Sequence, residues 1–261
     1  MEIVTNTPAA EVRVRQHFDN SAHLYINKQL ACYRESVEQR LQLLRTSASF
    51  KDDAKVNILD VGCGAGLFLD MFLENFPNAR ATGIDLSIEM MRQNAPSKRK
   101  RLLIGDALAL PGELGEFDVI CIDTVMHHLI SSAGYERTIR RIQEFLESLQ
   151  RHLRPGGVLL IREIYHEYLA IHDFGSRAIF AISTLQVPPL LESWIKRAGI
   201  HTANAGVCFL TREQWARVFE RAGFYPIAIE DYRWPGQPYR KFGFTASGDL
   251  HYILRRNRPL L

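Results

Sequence analysis

The chain has 261 residues, 46% of them apolar and 23% charged, and a formal net charge of +3. That length supports one large or two small domains with no need of disulfide or metal staples, and so small a charge gives no argument for nucleic acid. No run of about eighteen apolar residues occurs, so no membrane helix is expected.

The start, MEIVTNTPAAEVRVRQ, lacks the charged and apolar regions of a secretory signal. Cys32, Cys63, Cys121 and Cys208 form no C-x-x-C pair. Free thiols in a reducing cytoplasm are therefore expected, with no metal site.

Residues 1–10 read as frayed. From Glu11 to about Arg45 the pattern is helical, with Leu30, Tyr33, Val37, Leu41 and Leu44 at three- and four-residue steps on one face. After the polar stretch TSASFKDDAK, strands and helices alternate. VNILDV is a buried strand, and LFLDMFLENF a helix stopped by Pro77. RATGID is a second strand and SIEMMRQN a short helix. RLLIGD and FDVICID are two more strands; YERTIRRIQEFLESLQRHL is a long amphipathic helix ending at the RPGG turn; VLLIREI is strand five. Continuous apolar strands alternating with helices indicate a parallel sheet covered on both faces.

From Tyr165 to about Phe209 no strand is evident, and bulky apolar residues dominate. This stretch reads as helices inserted over the sheet. TREQWARVFERAGF then opens with Thr211 and Gln214 spaced as a capping box and closes at Gly223. PIAIEDY and LHYILRR are two final strands. The expected architecture is a doubly wound, seven-stranded, mostly parallel Rossmann-like α/β sheet. Residues 1–52 form an N-terminal helical lid, and residues 53–261 the main domain with a cap insertion at about 165–209.

The glycine turn ILDVGCGAGLFLDMF narrows the ligand. A dinucleotide fingerprint would need a small residue at Leu67 or Leu69, and a P-loop would need a lysine where none occurs between Lys55 and Lys98. What remains is acid-x-G-x-G-x-G: Asp60, Gly62, Gly64 and Gly66.

LDVGCGAG in this setting resembles the first motif of the class I S-adenosylmethionine-dependent methyltransferases, small-molecule branch. Downstream stretches agree in order over residues 56–163: GIDLS with Asp85 and Leu86, GDAL with Asp106 and Ala107, DTVMHHL after strand four, and LRPGG before strand five. The resemblance implies S-adenosyl-L-methionine as cofactor. Cys63 would lie in the glycine turn, Asp85 on the ribose hydroxyls and Asp106 near the adenine amino group, with Asp123 and Thr124 beside the cofactor. A single strand-terminal Asp such as Asp85 also serves as a turn residue or helix cap. FDNSAHLYINKQL resembles the family's covering segment, so Phe18 and Tyr25 either border the methionine end or pack the helix.

Methyl transfer to a hydroxyl needs alignment, exclusion of water and removal of a proton. His127 and His128 follow strand four and Glu163 closes strand five, a place where the family carries HH and an acid. The preferred assignment is His127 as base, with His128 lining the cleft; a purely packing role is the other reading. His166 and His172 are fallback bases. Tyr165, His166, Tyr168 and Trp194, with Phe174, Phe180 and Phe209, are candidates for the substrate chamber. YRWPGQPYRKFGF reads as a solvated loop before an RNA-facing one, and SKRKR as a solvated charged turn. The expected protein methylates a small, partly apolar metabolite, most often on oxygen, as a monomer or homodimer. Carbon or nitrogen methylation, an RNA or protein substrate, and a cofactor-binding module without turnover are the alternatives.

Overall fold

The computed structural model describes residues 2–4, 19, 30–48, 50–51, 53–168, 173–185, 188, 206–235 and 244–257. Its centre is an eight-stranded sheet in the order β1-β4-β3-β2-β5-β6-β8-β7. The strands are β1 (Glu2–Val4), β2 (Asn57–Val61), β3 (Arg80–Asp85), β4 (Lys100–Gly105), β5 (Phe117–Asp123), β6 (Leu153–Tyr168), β7 (Phe224–Arg233) and β8 (Phe244–Arg256). β1 to β6 pair in parallel, and β8 runs antiparallel between β6 and β7. Strands β2 to β8 are the seven expected. β1 is an addition where the sequence reads as frayed: three residues pair with Leu103–Gly105 of β4, too few to show a periodicity.

Among the described residues six helices flank the sheet: α1 (Leu30–Ala48), α2 (Leu67–Asn75), α3 (Ile88–Arg92), α4 (Tyr135–Leu149), α5 (Phe174–Thr184) and α6 (Arg212–Arg221). On α1, Val37, Leu41 and Leu44 are buried as their spacing predicts. They pack with Ile58, Val119, Cys121, Val158, Leu160 and Ile253 on one face of the sheet. The opposite face, with Leu59, Ile120, Leu159, Ile161 and Leu254, packs against α4 and α6. Each such side chain contributes about 1.5–3 kcal/mol when fully buried. Thr211 and Gln214 form the expected capping box of α6.

Two boundaries differ from expectation. RPGG lies within β6, as an irregularity where the register with β5 shifts between Phe117 and Val119. More consequentially, β6 runs on to Tyr168, its last four residues pairing with Gly248, Ser247, Ala246 and Phe244 of β8. Tyr165, His166 and Tyr168 are therefore strand residues, and the inserted segment begins after them. The alternation YHEY broke the apolar run by which strand five was recognised. The early part of the expected lid helix, Glu11 to Lys28, lies outside the described residues apart from Asp19, as does most of the cap beyond Leu185.

Candidate functional site

The glycine turn leaves β2 with Gly62, Gly64 and Gly66 at φ of 80°, 50° and 82°, a region that side-chain-bearing residues rarely adopt. Space is equally restrictive. A Cβ on Gly62 would stand 2.3 Å from Val125 Cγ2, and one on Gly66 would stand 2.3 Å from the Asn94 amide. The Gly64 N–H donates to Asp85 Oδ2 and the Ser87 N–H to Asp85 Oδ1, each at 2.8 Å. A carboxylate oxygen accepts more than one hydrogen bond, so these contacts leave Asp85 acceptor capacity for ligand hydroxyls. Burial raises the Asp85 carboxyl, and these amides restrain the rise. Asp106 is 6% exposed and accepts from Leu108 N–H at 2.9 Å. Leu86 and Ala107, next to the two acids, are half-buried.

Three motif residues have buried side chains on the α1 side of the sheet. The Cys63 thiol packs 3.5 Å from Met91 Sδ, so only its backbone can meet a ligand. Asp60 is 2% exposed, and its Oδ1 has no hydrogen-bond partner among the described residues; burial and the Asp123 carboxylate push it up to about 8. Asp123 faces α1. It accepts from Tyr33 Oη at 2.5 Å, and Arg40 Nη1 lies 2.9 Å away as an ion pair. Arg162 Nη1 is 3.3 Å from Asp123 and Nη2 3.2 Å from Asp249. Burial disfavours ionisation of Asp123, but the two guanidinium groups outweigh it and hold the carboxyl at about 2. SKRKR is also corrected: the Lys100 side chain is fully buried and donates to Asp70 at 2.7 Å and Asn94 at 2.8 Å.

On the other face, His127 lies in a 3-10 turn, Met126–His128. Its Nδ1 is 2.8 Å from Glu163 Oε2, while Met126 N–H donates to Glu163 Oε1 at 2.7 Å. Both side chains are nearly inaccessible, at 5% and 0% exposure. Burial pushes Glu163 up to about 8 against the pull of those amides. Burial, helped by Arg162, pushes His127 down to about 3. Both directions oppose net charge, so at neutral pH the pair carries two protons and no charge. His127 Nε2 makes no hydrogen bond to a described residue.

The His127 ring stands 4.1 Å from that of His128 and 5.0 Å from Phe209. Phe209 also meets His166 edge-on at 4.9 Å, and His166 Nδ1 is 2.6 Å from Ser247 Oγ. Burial and nearby His127 lower His166 to about 4. His127, His128, His166 and Phe209 thus form one group, joined by Trp234, 6.1 Å from His166. Tyr165 is corrected: it is fully buried, with its hydroxyl held by Asp231 at 2.8 Å and Arg212 at 2.5 Å, so it cannot turn to a substrate. The Tyr168 ring occupies the space where Gly175 lacks a Cβ, bracing α5. Tyr25, His172 and Trp194 lie outside the described residues.

Sequence reasoning missed Arg40, Arg162, Asp249, Ser247 and Trp234. A signal existed for one of them: Arg162 is a charge inside the apolar run VLLIREI, and buried charges are normally paired.

A parallel sheet with acids at adjacent strand ends and a side-chain-free turn defines a nucleoside-binding α/β site. The donor set fits an adenosyl ligand: Asp85 keeps lone pairs for two hydroxyls, and Gly62–Gly66 contains no cation to hold a phosphate. A family model described as "Methyltransferase domain" matches residues 33–229. The chain belongs to that family, within the class I S-adenosylmethionine-dependent methyltransferases.

It is 29% identical over 214 residues to the secondary metabolism regulator laeA of Coprinopsis cinerea, covering 78% of this chain and 49% of that protein. It is 26% identical over 217 residues to the malonyl-[acyl-carrier protein] O-methyltransferase of Halalkalibacterium halodurans, covering 79% of this chain and 69% of that protein. The chain therefore spans about half the length of the first relative. Among solved structures, the [4+2]-cyclase SpnF shares the fold at a TM-score of 0.63 and 17% identity, over 98% of this chain and 99% of that one.

Proposed function

We propose that the protein transfers a methyl group from S-adenosyl-L-methionine to oxygen of a small, partly apolar metabolite, with His127 as general base. The observation that carries this reading is the buried His127–Glu163 pair, whose second imidazole nitrogen has no hydrogen-bond partner among the described residues.

When bound, the cofactor supplies the activated methyl group on its sulfonium. The protein's part is binding, orientation and proton removal. Asp85 would hold the ribose, with Leu86 beside it, and Asp106 with Ala107 would border the adenine. Gly62, Gly64 and Gly66 give the ligand access to the backbone. The Thr124 hydroxyl, bonded to no described residue, is available to it. His128, Phe209, His166 and Trp234 supply ring surfaces for the acceptor.

In its neutral form the pair holds one proton between Nδ1 and Oε2 and the other on Nε2. Losing one frees the Nε2 lone pair, which can then take a proton from an acceptor hydroxyl while Glu163 orients the ring. A pair that gives up its proton near 8 suits an acceptor such as a phenol or enol better than a simple alcohol.

The cofactor half of the reading is tested by calorimetry. Asp85→Ala should weaken S-adenosylmethionine binding by roughly 1.5–3 kcal/mol, the range for hydrogen bonds to a charged group. Equal affinity in the two proteins would remove Asp85 from the ribose.

A further inference from the structure

We infer that Thr124 is a positioning residue, whose left-handed backbone sets Val125 across the glycine turn and His127 onto Glu163. The inference rests on the methyl-transfer reading above.

Among the described residues Thr124 alone combines a side chain with positive φ, at 54°. That conformation is unfavourable for L-residues and most so for β-branched ones. It persists where surrounding contacts over-determine it, and here they do. The Thr124 N–H donates to Arg162 O at 2.8 Å. Asp123, just before it, is held by Tyr33, Arg40 and Arg162.

Just after it, Val125 Cγ2 occupies the space that a Cβ on Gly62 would need. Val125 O accepts from His128 N–H at 3.0 Å, and His127 O from Cys208 N–H at 2.8 Å. Met126 and His127 then both meet Glu163. An ordinary negative φ at Thr124 would carry the chain onward along β5, away from Gly62 and Glu163. One corner therefore aligns the turn expected to meet the cofactor and the pair expected to take the proton.

The test needs no acceptor. Wild type and Thr124→Gly, Thr124→Asn and Thr124→Pro are compared by calorimetric titration with S-adenosylhomocysteine, by the low-field proton resonance of the His127–Glu163 hydrogen bond, and by thermal melting. Glycine and asparagine tolerate positive φ, so they should leave the resonance in place and lose less affinity than proline. Glycine should also raise Tm by roughly 2–4 °C, as relieved strain exceeds its greater unfolded-state entropy. Proline cannot adopt this φ and should lower affinity about tenfold or more and shift or abolish the resonance.

A folded proline variant with wild-type affinity and resonance overturns the inference. So does a glycine variant that melts no higher than wild type, or one that loses the resonance, whatever the proline variant does. Should wild type itself fail to bind S-adenosylhomocysteine, the cofactor reading falls, while the resonance and melting data still judge the corner.

Discussion

Asp123 at the end of β5 and Glu163 within β6 are buried carboxylates on neighbouring strands, yet one is held at about 2 and the other pushed up to about 8. The difference lies in which way each side chain points. Arg162 and Glu163 are consecutive in β6, so they face opposite sides of the sheet. On the α1 side Asp123 meets two guanidinium groups and a phenol. On the α4 side Glu163 meets backbone amides and an imidazole that burial keeps neutral. One side is an ionised clamp joining α1 to the sheet; the other is an uncharged pair able to gain or lose a proton. Burial alone does not set the charge of a carboxylate; the strength of its donors decides it.

Removing one cation tests the clamp most severely. Arg40→Met leaves Asp123 with a single guanidinium and should cost about 3–5 kcal/mol in urea unfolding, as breaking a buried ion pair does. A loss below 1 kcal/mol would mean that Asp123 is not ionised.

The neutral pair makes a signed prediction for pH. Between about pH 6.5 and 8 the unfolded chain holds one proton on these two groups and the folded chain two, so stability falls as pH rises. Glu163→Gln should flatten that decline by on the order of 1–2 kcal/mol, read from urea unfolding at pH 6.5 and pH 8. Turnover should move oppositely, climbing through about pH 8 in wild type as the base form is populated. An unchanged stability slope in the variant would show that Glu163 is already ionised at neutral pH.

Tyr33→Phe should have the smallest effect. It removes one hydrogen bond to Asp123 and leaves both cations, costing about 1.5 kcal/mol with no change in the slope between pH 6.5 and 8. A changed slope would mean that the two sides of the sheet titrate together.

The glycine turn, the acids Asp85 and Asp106 and the order of β2 to β8 were legible because each leaves a local mark: backbone freedom, a strand-end carboxylate or an apolar run. His127 with Glu163 could be named as candidates on the same ground, although their direct contact depends on the pairing of β5 with β6. The clamp could not be read this way. Tyr33 and Asp123 are 90 positions apart, and no spacing rule links a helix face to the end of a strand it packs upon. Tyr165 misled because an aromatic residue at the mouth of an insertion looks like a pocket wall, while its hydroxyl is fastened to Asp231.

The antiparallel placement of β8 constrains how this protein is made. Phe244–Arg256 runs between β6 and β7 and lines the strand that carries Glu163 and His166. A ribosome translating residues 1–243 has therefore produced every other described strand, with β6 still offering an open edge. Pauses before this stretch is released should call on chaperones, and truncation ahead of Phe244 should yield aggregates rather than a smaller working enzyme.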